Sequence, residues 1–224
     1  MNDFEKKEVF GLILEGISGS GKTAVLNSIL KNDKYLNKSF SSNIVLNEYH
    51  TQRIFDNKFN NNTLQKEEIL KVLNEYTNLI ENISSRLQDM NWCVQDMTEQ
   101  NLCFIFERFI FSHLNIYPFL KWDDVKDIDA ILSKSGSKLC VLTLDENSIE
   151  ERLIYDRKNI PTWMSYIRRF GNTNNEIVRY FVEQQESLLD FCRQSSMELI
   201  QINTSQKNIN ETTIQIIDFW GINS

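Results

Sequence analysis

Short, mostly apolar runs bounded by polar residues recur along the chain. Each run is four to six residues long, and their near-continuous hydrophobicity is typical of strands buried on both faces of a parallel sheet. The runs are Val9–Leu14, Asn43–Leu46, Leu102–Phe106, Leu139–Leu144 and Leu199–Ile202. They predict five strands.

The segments between these runs carry the hydrophobic repeat of helices. The repeat is clearest over Leu64–Asp89, where leucine and isoleucine recur three or four positions apart. A helix is also expected over Lys22–Lys31, and Asn147 with Glu150 three positions later predicts the N-terminus of another. The Asn-rich stretch Asn57–Thr63 is expected to be a flexible loop.

The alternation of strands and helices predicts the fold class. It indicates an α/β protein with three layers, α/β/α, around a parallel, five-stranded sheet. The length of 224 residues suits one domain spanning residues 1–224. With 41% hydrophobic and 25% charged residues, the composition excludes a collagen, a disordered tail and a disulfide scaffold.

Charge and cysteine content narrow the class of partner. The net charge of −7 argues against binding a nucleic-acid polymer. No apolar run reaches the length of a membrane span, and the first ten residues lack the apolar core of a secretory signal, so a cytoplasmic protein with no membrane partner is expected.

The cysteines are scattered, which favours free buried thiols over a disulfide or a metal site. They are Cys93, Cys103, Cys140 and Cys192.

Glycine is scarce, and four of the seven glycines lie close together near the N-terminus. Gly11 falls inside the first predicted strand, where it is expected to allow close packing. The others belong to Gly16-Ile17-Ser18-Gly19-Ser20-Gly21-Lys22-Thr23, which fits the phosphate-binding pattern GxxxxGK[ST] between a strand and a helix. In such a loop the backbone N–H groups and Lys22 bind the phosphates of a nucleotide, and the Thr23 hydroxyl ligates Mg²⁺. The alternative is a glycine turn with an incidental lysine.

Three segments resemble thymidylate kinases and deoxynucleoside kinases. They are LILEGISGSGKT, the pair SSRLQ and FERFIFSHL, and LTLDENSIEERLIYDRKN. The resemblance implies a P-loop kinase with a small lid at about residues 147–172, using ATP and Mg²⁺. It also implies that Glu107 works around Mg²⁺, that Arg108 contacts the transferred or acceptor phosphate, and that Arg86 contacts the acceptor. A strand-end ion pair for Glu107 and Arg108, and helix packing for Arg86, are the structural alternatives.

The resemblance also assigns roles to three further charged residues. Glu48 would act on the acceptor as a base or orienting carboxylate, although a solvated loop glutamate explains it equally well. Arg152 and Arg157 would be the lid arginines, since guanidinium groups suit phosphate oxygens. Their five-residue spacing predicts that Arg157 lies beyond the helix. An exposed helix of mixed charge is the alternative for this segment.

The acceptor half of the resemblance is incomplete. Ser18 stands where thymidylate kinases carry an acid, Leu79 where nucleoside kinases carry a base-reading glutamine, and His113 where they carry an aspartate. Tyr49 replaces the proline expected after Glu48. These departures leave the base and even the class of acceptor open.

The predicted function is MgATP-dependent phosphoryl transfer to a nucleoside or nucleoside monophosphate. Lys22, Glu48, Arg108, Arg152 and Arg157 are the expected catalytic residues. The alternatives are a P-loop kinase of a non-nucleotide small molecule and an ATP-binding switch or assembly protein with little catalysis. ATP and a small-molecule acceptor are the expected partners, and a homodimer is compatible with the sequence.

Overall fold

Five parallel strands form the centre of the protein. The computed structural model describes residues 8–38, 40, 42–89 and 101–222, so Cys93 lies outside the described residues. The strands are β1 (Val9–Gly16), β2 (Ser42–Leu46), β3 (Leu102–Glu107), β4 (Lys138–Thr143) and β5 (Glu198–Asn203). They pair in the order β2-β3-β1-β4-β5, and every pairing is parallel. The predicted five-stranded parallel sheet is confirmed.

Helices connect the strands and cover both faces of the sheet. They are α1 (Lys22–Ile29), α2 (Asp33–Asn37), α3 (Glu48–Thr51), α4 (Asp56–Asn60), α5 (Lys66–Asp89), α6 (Ile110–Ile116), α7 (Trp122–Lys134), α8 (Glu146–Glu150), α9 (Pro161–Ile167), α10 (Asn174–Cys192) and α11 (Ile209–Trp220). A 3₁₀ turn (Arg53–Phe55) joins α3 to α4, and a π-helical turn (Glu151–Tyr155) follows α8. None of the helices that the structure describes combines the length and apolar character needed to span a bilayer.

Side chains that alternate along β3 build two separate cores. Phe104 and Phe106 face the core formed with α5, α6, α7 and α10, whereas Cys103 and Ile105 face the core formed with α1 and α11. This is the predicted three-layer arrangement. Gly11 packs closely as expected, because a Cβ there would clash with the ring of Phe104.

A third apolar cluster holds the segment predicted to be a lid. Ile149 and Leu153 of this segment pack with Ile17 of the glycine loop and with Phe181 of α10. Trp163 packs against the same cluster and donates a hydrogen bond from Nε1 to the Leu153 carbonyl at 2.6 Å. The segment is therefore anchored both to the loop and to α10.

The strand register aligns the carboxyl ends of β1, β3 and β4. Leu14 of β1 lies opposite Glu107 of β3, and Gly16 lies opposite Leu142 of β4. Because the strands are parallel, their carboxyl ends share one edge of the sheet. The glycine loop, the end of β3 and the start of α3 therefore meet at that edge, which is where α/β sheets bind ligands.

Two local predictions were wrong. The helix after β4 begins at Glu146, with Asp145 rather than Asn147 at the N-cap position, because the chain enters the helix directly from the strand. The Asp145 side chain does not cap the helix and instead accepts a hydrogen bond from Asn203 at 2.7 Å.

The Asn-rich stretch is not simply a loop, since α4 extends to Asn60 and the Thr63 N–H donates to the Lys58 carbonyl at 2.8 Å. The free, buried state predicted for Cys103, Cys140 and Cys192 is confirmed.

Candidate functional site

The glycine loop makes a tight connection from β1 to α1. Gly16 allows a close approach, because a Cβ there would lie 2.6 Å from the carbonyl oxygen of Leu142. Gly21 occupies the N-cap position of α1 with a φ of 92°, a left-handed conformation that favours glycine. The first N–H groups of α1 have no partner within the helix, so this turn presents a cradle for an anion.

The side chain of Lys22 folds back into the glycine loop. Its ammonium donates to the carbonyl oxygens of Gly16 at 2.8 Å and Ile17 at 2.9 Å. Burial, and then the charge of Arg108, lowers the pKa of Lys22 to about 7. The amine is therefore held beside the cradle, where burial and Arg108 disfavour its charged form. A bound anion would favour that charged form.

Thr23 and Glu107 meet at the floor of the cleft. The Thr23 hydroxyl donates to Glu107 Oε1 at 3.1 Å, and the Glu48 N–H donates to Glu107 Oε2 at 3.4 Å. Glu107 is buried at the end of β3. A hydroxyl and a carboxylate are hard oxygen ligands, and Mg²⁺ typically takes one or two such protein ligands together with phosphate and water. The pair fits a Mg²⁺ ion.

Glu48 lies between two arginines. Its Oε1 accepts a hydrogen bond from Arg53 Nε at 2.7 Å, and its Oε2 lies 2.9 Å from Arg108 Nε in an ion pair. Burial acts to raise the pKa of Glu48, but the two arginines outweigh it and hold that pKa below its usual range. Glu48 is therefore an ionised group in this cleft and not an isolated loop glutamate.

Arg108 adopts an unusual backbone conformation directly after β3. Its φ is 53°, a left-handed value that costs an L-residue with a Cβ about 1 kcal/mol. The Arg108 N–H donates to the Leu14 carbonyl at 3.0 Å, which fixes the turn against β1. Its guanidinium then reaches both Glu48 and Ser18, whose Oγ accepts a hydrogen bond from Nη2 at 3.2 Å. The strained turn places this cation at the mouth of the glycine loop.

The two lid arginines have different surroundings. Arg157 lines the cleft beyond the π-helical turn, as its spacing predicted, with its guanidinium 4.3 Å from the centroid of the Trp163 ring. Arg152 is buried, and its guanidinium donates to the carbonyl oxygens of Gly19, at 3.2 Å, and Thr204. The Thr204 hydroxyl in turn donates to the Ser20 carbonyl at 2.8 Å. Arg152 therefore supports the glycine loop through hydrogen bonds to backbone carbonyl groups.

These groups surround one cleft of about 300 Å³. The residues that line it are Ser18, Gly19, Gly21, Lys22, Thr23, Ala24, Glu48, Arg53, Glu107, Arg108, Arg157 and Trp163. Gly16, Ile17 and Ser20 belong to the same glycine loop but are buried and do not line the cleft.

Two residues considered for the acceptor lie apart from this lining. Arg86 is exposed near the end of α5 and is not among the residues that line the cleft. His113 is fully buried against Phe55 and Tyr117, and burial lowers the pKa of its imidazole to about 4. Neither side chain contributes to the cleft as described.

Three charged or aromatic residues of this region were not predicted from the sequence. Arg53 and Trp163 line the cleft but carry no motif. Glu15 is the third, and the sequence held a signal for it, since it is an acidic residue directly after the apolar run Val9–Leu14. It is fully buried, and its carboxylate accepts hydrogen bonds from the N–H groups of Phe109, at 2.9 Å, and Ser112, at 3.3 Å. Glu15 thus holds the turn that contains Arg108.

Comparison with solved structures shows the fold of this chain. No protein-family model matches the sequence, and no curated protein sequence matches it significantly. The YorR protein from Bacillus subtilis, in a complex with phosphorylated GDP, superposes with a TM-score of 0.53 at 15% identity, covering 93% of this chain and 94% of that one. Polyphosphate kinase 2 from Arthrobacter aurescens TC1 gives a TM-score of 0.51 at 11% identity, covering 97% and 70% of the two chains.

A thymidylate kinase from Ehrlichia chaffeensis also matches along most of its length. It is 14% identical, with 95% of this chain and 98% of that chain covered, at a lower TM-score of 0.45. The two stronger likenesses show that the chain has the three-layer α/β fold of P-loop kinases, as predicted. At these identities the likeness concerns the fold.

Proposed function

We propose that this protein is a MgATP-dependent phosphotransferase that transfers the γ-phosphoryl group of ATP to a nucleoside or a nucleoside monophosphate. The observation that carries the proposal is the contact of Thr23 with Glu107 beside the glycine loop, with the Glu48–Arg108 ion pair in the same cleft. A phosphate cradle, a pair of metal ligands and charged groups for an acceptor are the parts that phosphoryl transfer requires.

The donor side is assigned to the glycine loop and the residues next to it. The N–H groups at the start of α1 would bind the phosphates, and Lys22 would exchange the carbonyls of Gly16 and Ile17 for phosphate oxygens. Thr23 and Glu107 would hold Mg²⁺, which neutralises charge on the β- and γ-phosphates when it is bound. Arg157, which lines the cleft beside Trp163, would approach the transferred group from the lid segment.

The acceptor side is assigned to the part of the cleft that holds the Glu48–Arg108 ion pair. Glu48 and Arg108 would orient the acceptor, and Arg108 would also stabilise negative charge in the transition state. Arg152 acts differently from the role that the kinase resemblance implies, because its contacts with Gly19 and Thr204 support the loop and not an exposed phosphate. We therefore assign it a positioning role.

The nucleotide character of the acceptor has two supports. One is the resemblance of the FERFIFSHL and LTLDENSIEERLIYDRKN segments to nucleoside and nucleotide kinases. The other is the likeness in fold to YorR, whose structure holds phosphorylated GDP.

The decisive test combines ATP binding with acceptor-dependent ADP release. The purified chain is incubated with Mg²⁺ and ATP and a panel of nucleosides, nucleoside monophosphates and sugars, and ADP is measured. We expect release with a nucleoside or a monophosphate, and a loss of about 100-fold or more in Lys22→Met. Lys71→Met is the matched control, since Lys71 is exposed on α5.

The other outcomes would favour the alternatives. Release only with sugars would replace the nucleotide acceptor with another small molecule. Tight ATP binding without release for any acceptor would favour an ATP-dependent switch or assembly protein.

A further inference from the structure

Two guanidinium groups converge on one small anion in the acceptor half of the cleft. That anion is the carboxylate of Glu48, which contacts Arg53 through Oε1 and Arg108 through Oε2. The Glu48 and Arg108 side chains are only 16% and 10% exposed, whereas Arg53 is 43% exposed at the entrance. An incoming ligand can therefore reach the pair of cations from the side of Arg53.

The same pair of cations suits a phosphate group better than it suits a carboxylate. A phosphomonoester carries nearly two negative charges at neutral pH and three terminal oxygens. A guanidinium presents its N–H donors as a planar fork that matches two of those oxygens. Two such forks facing one point are a recurring way to bind phosphate, and here Glu48 holds them in place.

Glu48 is poorly suited to remove a proton from a neutral acceptor. Both of its oxygens are engaged by arginines, Oε1 by Arg53 and Oε2 by Arg108, so neither is free to accept a proton from a substrate hydroxyl. A hydroxyl acceptor needs a base to take its proton during transfer. A phosphate oxygen is already ionised near neutral pH and needs cations instead.

Arg53 and Arg108 are the two cations of the described cleft that lie neither in the glycine loop nor in the lid segment, and they are therefore available to an acceptor. Among the described residues that line the cleft, the cations are Lys22, Arg53, Arg108 and Arg157, and the carboxylates are Glu48 and Glu107. Lys22 lies in the glycine loop, and Arg157 is stacked on Trp163 of the lid segment. Arg53 and Arg108 lie together on the wall that carries Glu48.

We infer that the acceptor is a phosphomonoester, and that Arg53 is a specificity-determining residue that binds its phosphate together with Arg108. The inference rests on the proposed function. An oxygen of the acceptor phosphate attacks the γ-phosphorus of ATP, and the bond from that phosphorus to the bridging β–γ oxygen breaks. ADP leaves with the electron pair, and the product is a diphosphate. No proton has to be removed from the dianionic acceptor.

The first test compares matched acceptors that differ only in the phosphate. Guanosine, adenosine, thymidine and cytidine are each paired with their 5′-monophosphates, and ADP release is measured with wild-type protein. Turnover of a monophosphate without turnover of its nucleoside supports the inference. Turnover of nucleosides alone overturns it while leaving the proposed function intact. Turnover of neither class, with ATP bound, contradicts the proposed function.

The second test measures acceptor binding directly and does not depend on turnover. Each monophosphate is titrated into wild-type protein loaded with Mg²⁺ and a non-hydrolysable ATP analogue. Arg53→Gln is expected to weaken binding of the monophosphate about 10- to 100-fold while affinity for the ATP analogue stays within a factor of two. Arg179→Gln is the control, because Arg179 is 81% exposed and pairs with Glu183 on α10. No detectable monophosphate binding by the wild type, or equal affinity in Arg53→Gln and wild type, overturns the inference.

Discussion

The hydroxyl of Thr23 donates a hydrogen bond to Oε1 of Glu107 at 3.1 Å, although 84 positions separate the two residues in the chain. Thr23 is the second residue of α1, at the end of the glycine loop, and Glu107 ends β3, the strand that pairs with β1. Pairing of β1 with β3 brings them together, since Leu14 lies opposite Glu107. The sheet register therefore builds the candidate Mg²⁺ site.

Glu107→Gln is expected to impair the use of Mg²⁺. The amide keeps the shape of the side chain but removes the negative charge that a divalent cation requires. We expect the Mg²⁺ concentration for half-maximal ADP release to rise about 10- to 100-fold, and metal-free ATP binding to stay close to wild type. A Mg²⁺ titration at saturating ATP measures this. Glu183→Gln, on the exposed face of α10, is the control, and an unchanged Mg²⁺ requirement in Glu107→Gln would remove Glu107 from the metal site.

The central architecture could be predicted because its signals are local. Five nearly continuous apolar runs predicted the five strands, and the glycine loop predicted a turn between the first strand and helix. The N-terminus of the helix after β4 was misplaced because Asn147 and Glu150 match a capping pattern that many non-terminal segments also match. In the structure Asp145 leads straight from the strand into the helix and is bonded to Asn203.

The candidate site was less accessible to prediction because its contacts depend on tertiary structure. Arg53 contacts Glu48 because a 3₁₀ turn follows α3. No pattern in the local sequence predicts that turn. The kinase resemblance implies that Arg152 is a lid arginine facing phosphate. Its partners in the structure, Gly19 and Thr204, are 133 and 52 positions away, so these contacts could not be predicted from its own segment.

Binding of ATP at mildly alkaline pH is expected to take up protons through Lys22. The pKa of this amine is about 7 in the unliganded cleft, because of burial first and Arg108 second, so at about pH 8 most of it is neutral. Phosphate charge favours the ammonium and raises that pKa, and between the two pKa values binding must add a proton. Calorimetry of ATP binding in buffers of different ionisation enthalpy gives the number of protons.

The matched variants for this experiment are Lys22→Met and Lys71→Met. We expect proton uptake to approach one in wild type and in Lys71→Met, and to be lost in Lys22→Met. Equal uptake in all three proteins would assign the proton to another group.

Arg108 offers a test of backbone strain that is separate from its charge. Its φ of 53° is compatible with glycine, whereas alanine must keep the strained conformation. Arg108→Gly and Arg108→Ala remove the same guanidinium, so both should lose ADP release to the same degree. The free energy of unfolding in urea should nevertheless be about 1 kcal/mol higher for the glycine variant. Equal stability of the two variants would mean that the turn after β3 relaxes when the arginine is removed.

Arg152 and Thr204 are expected to act as one support for the glycine loop. The Arg152 guanidinium donates to the Thr204 carbonyl and the Gly19 carbonyl, while the Thr204 hydroxyl donates to the Ser20 carbonyl. Arg152→Gln and Thr204→Val should each weaken ATP binding about 10-fold, and the double variant should be less impaired than the product of the two effects, because the groups share one network. Equilibrium ATP binding and kcat are measured for all four proteins. A full loss of kcat in Arg152→Gln with unchanged ATP affinity, and no coupling to Thr204, would instead place the Arg152 guanidinium on the transferred phosphate.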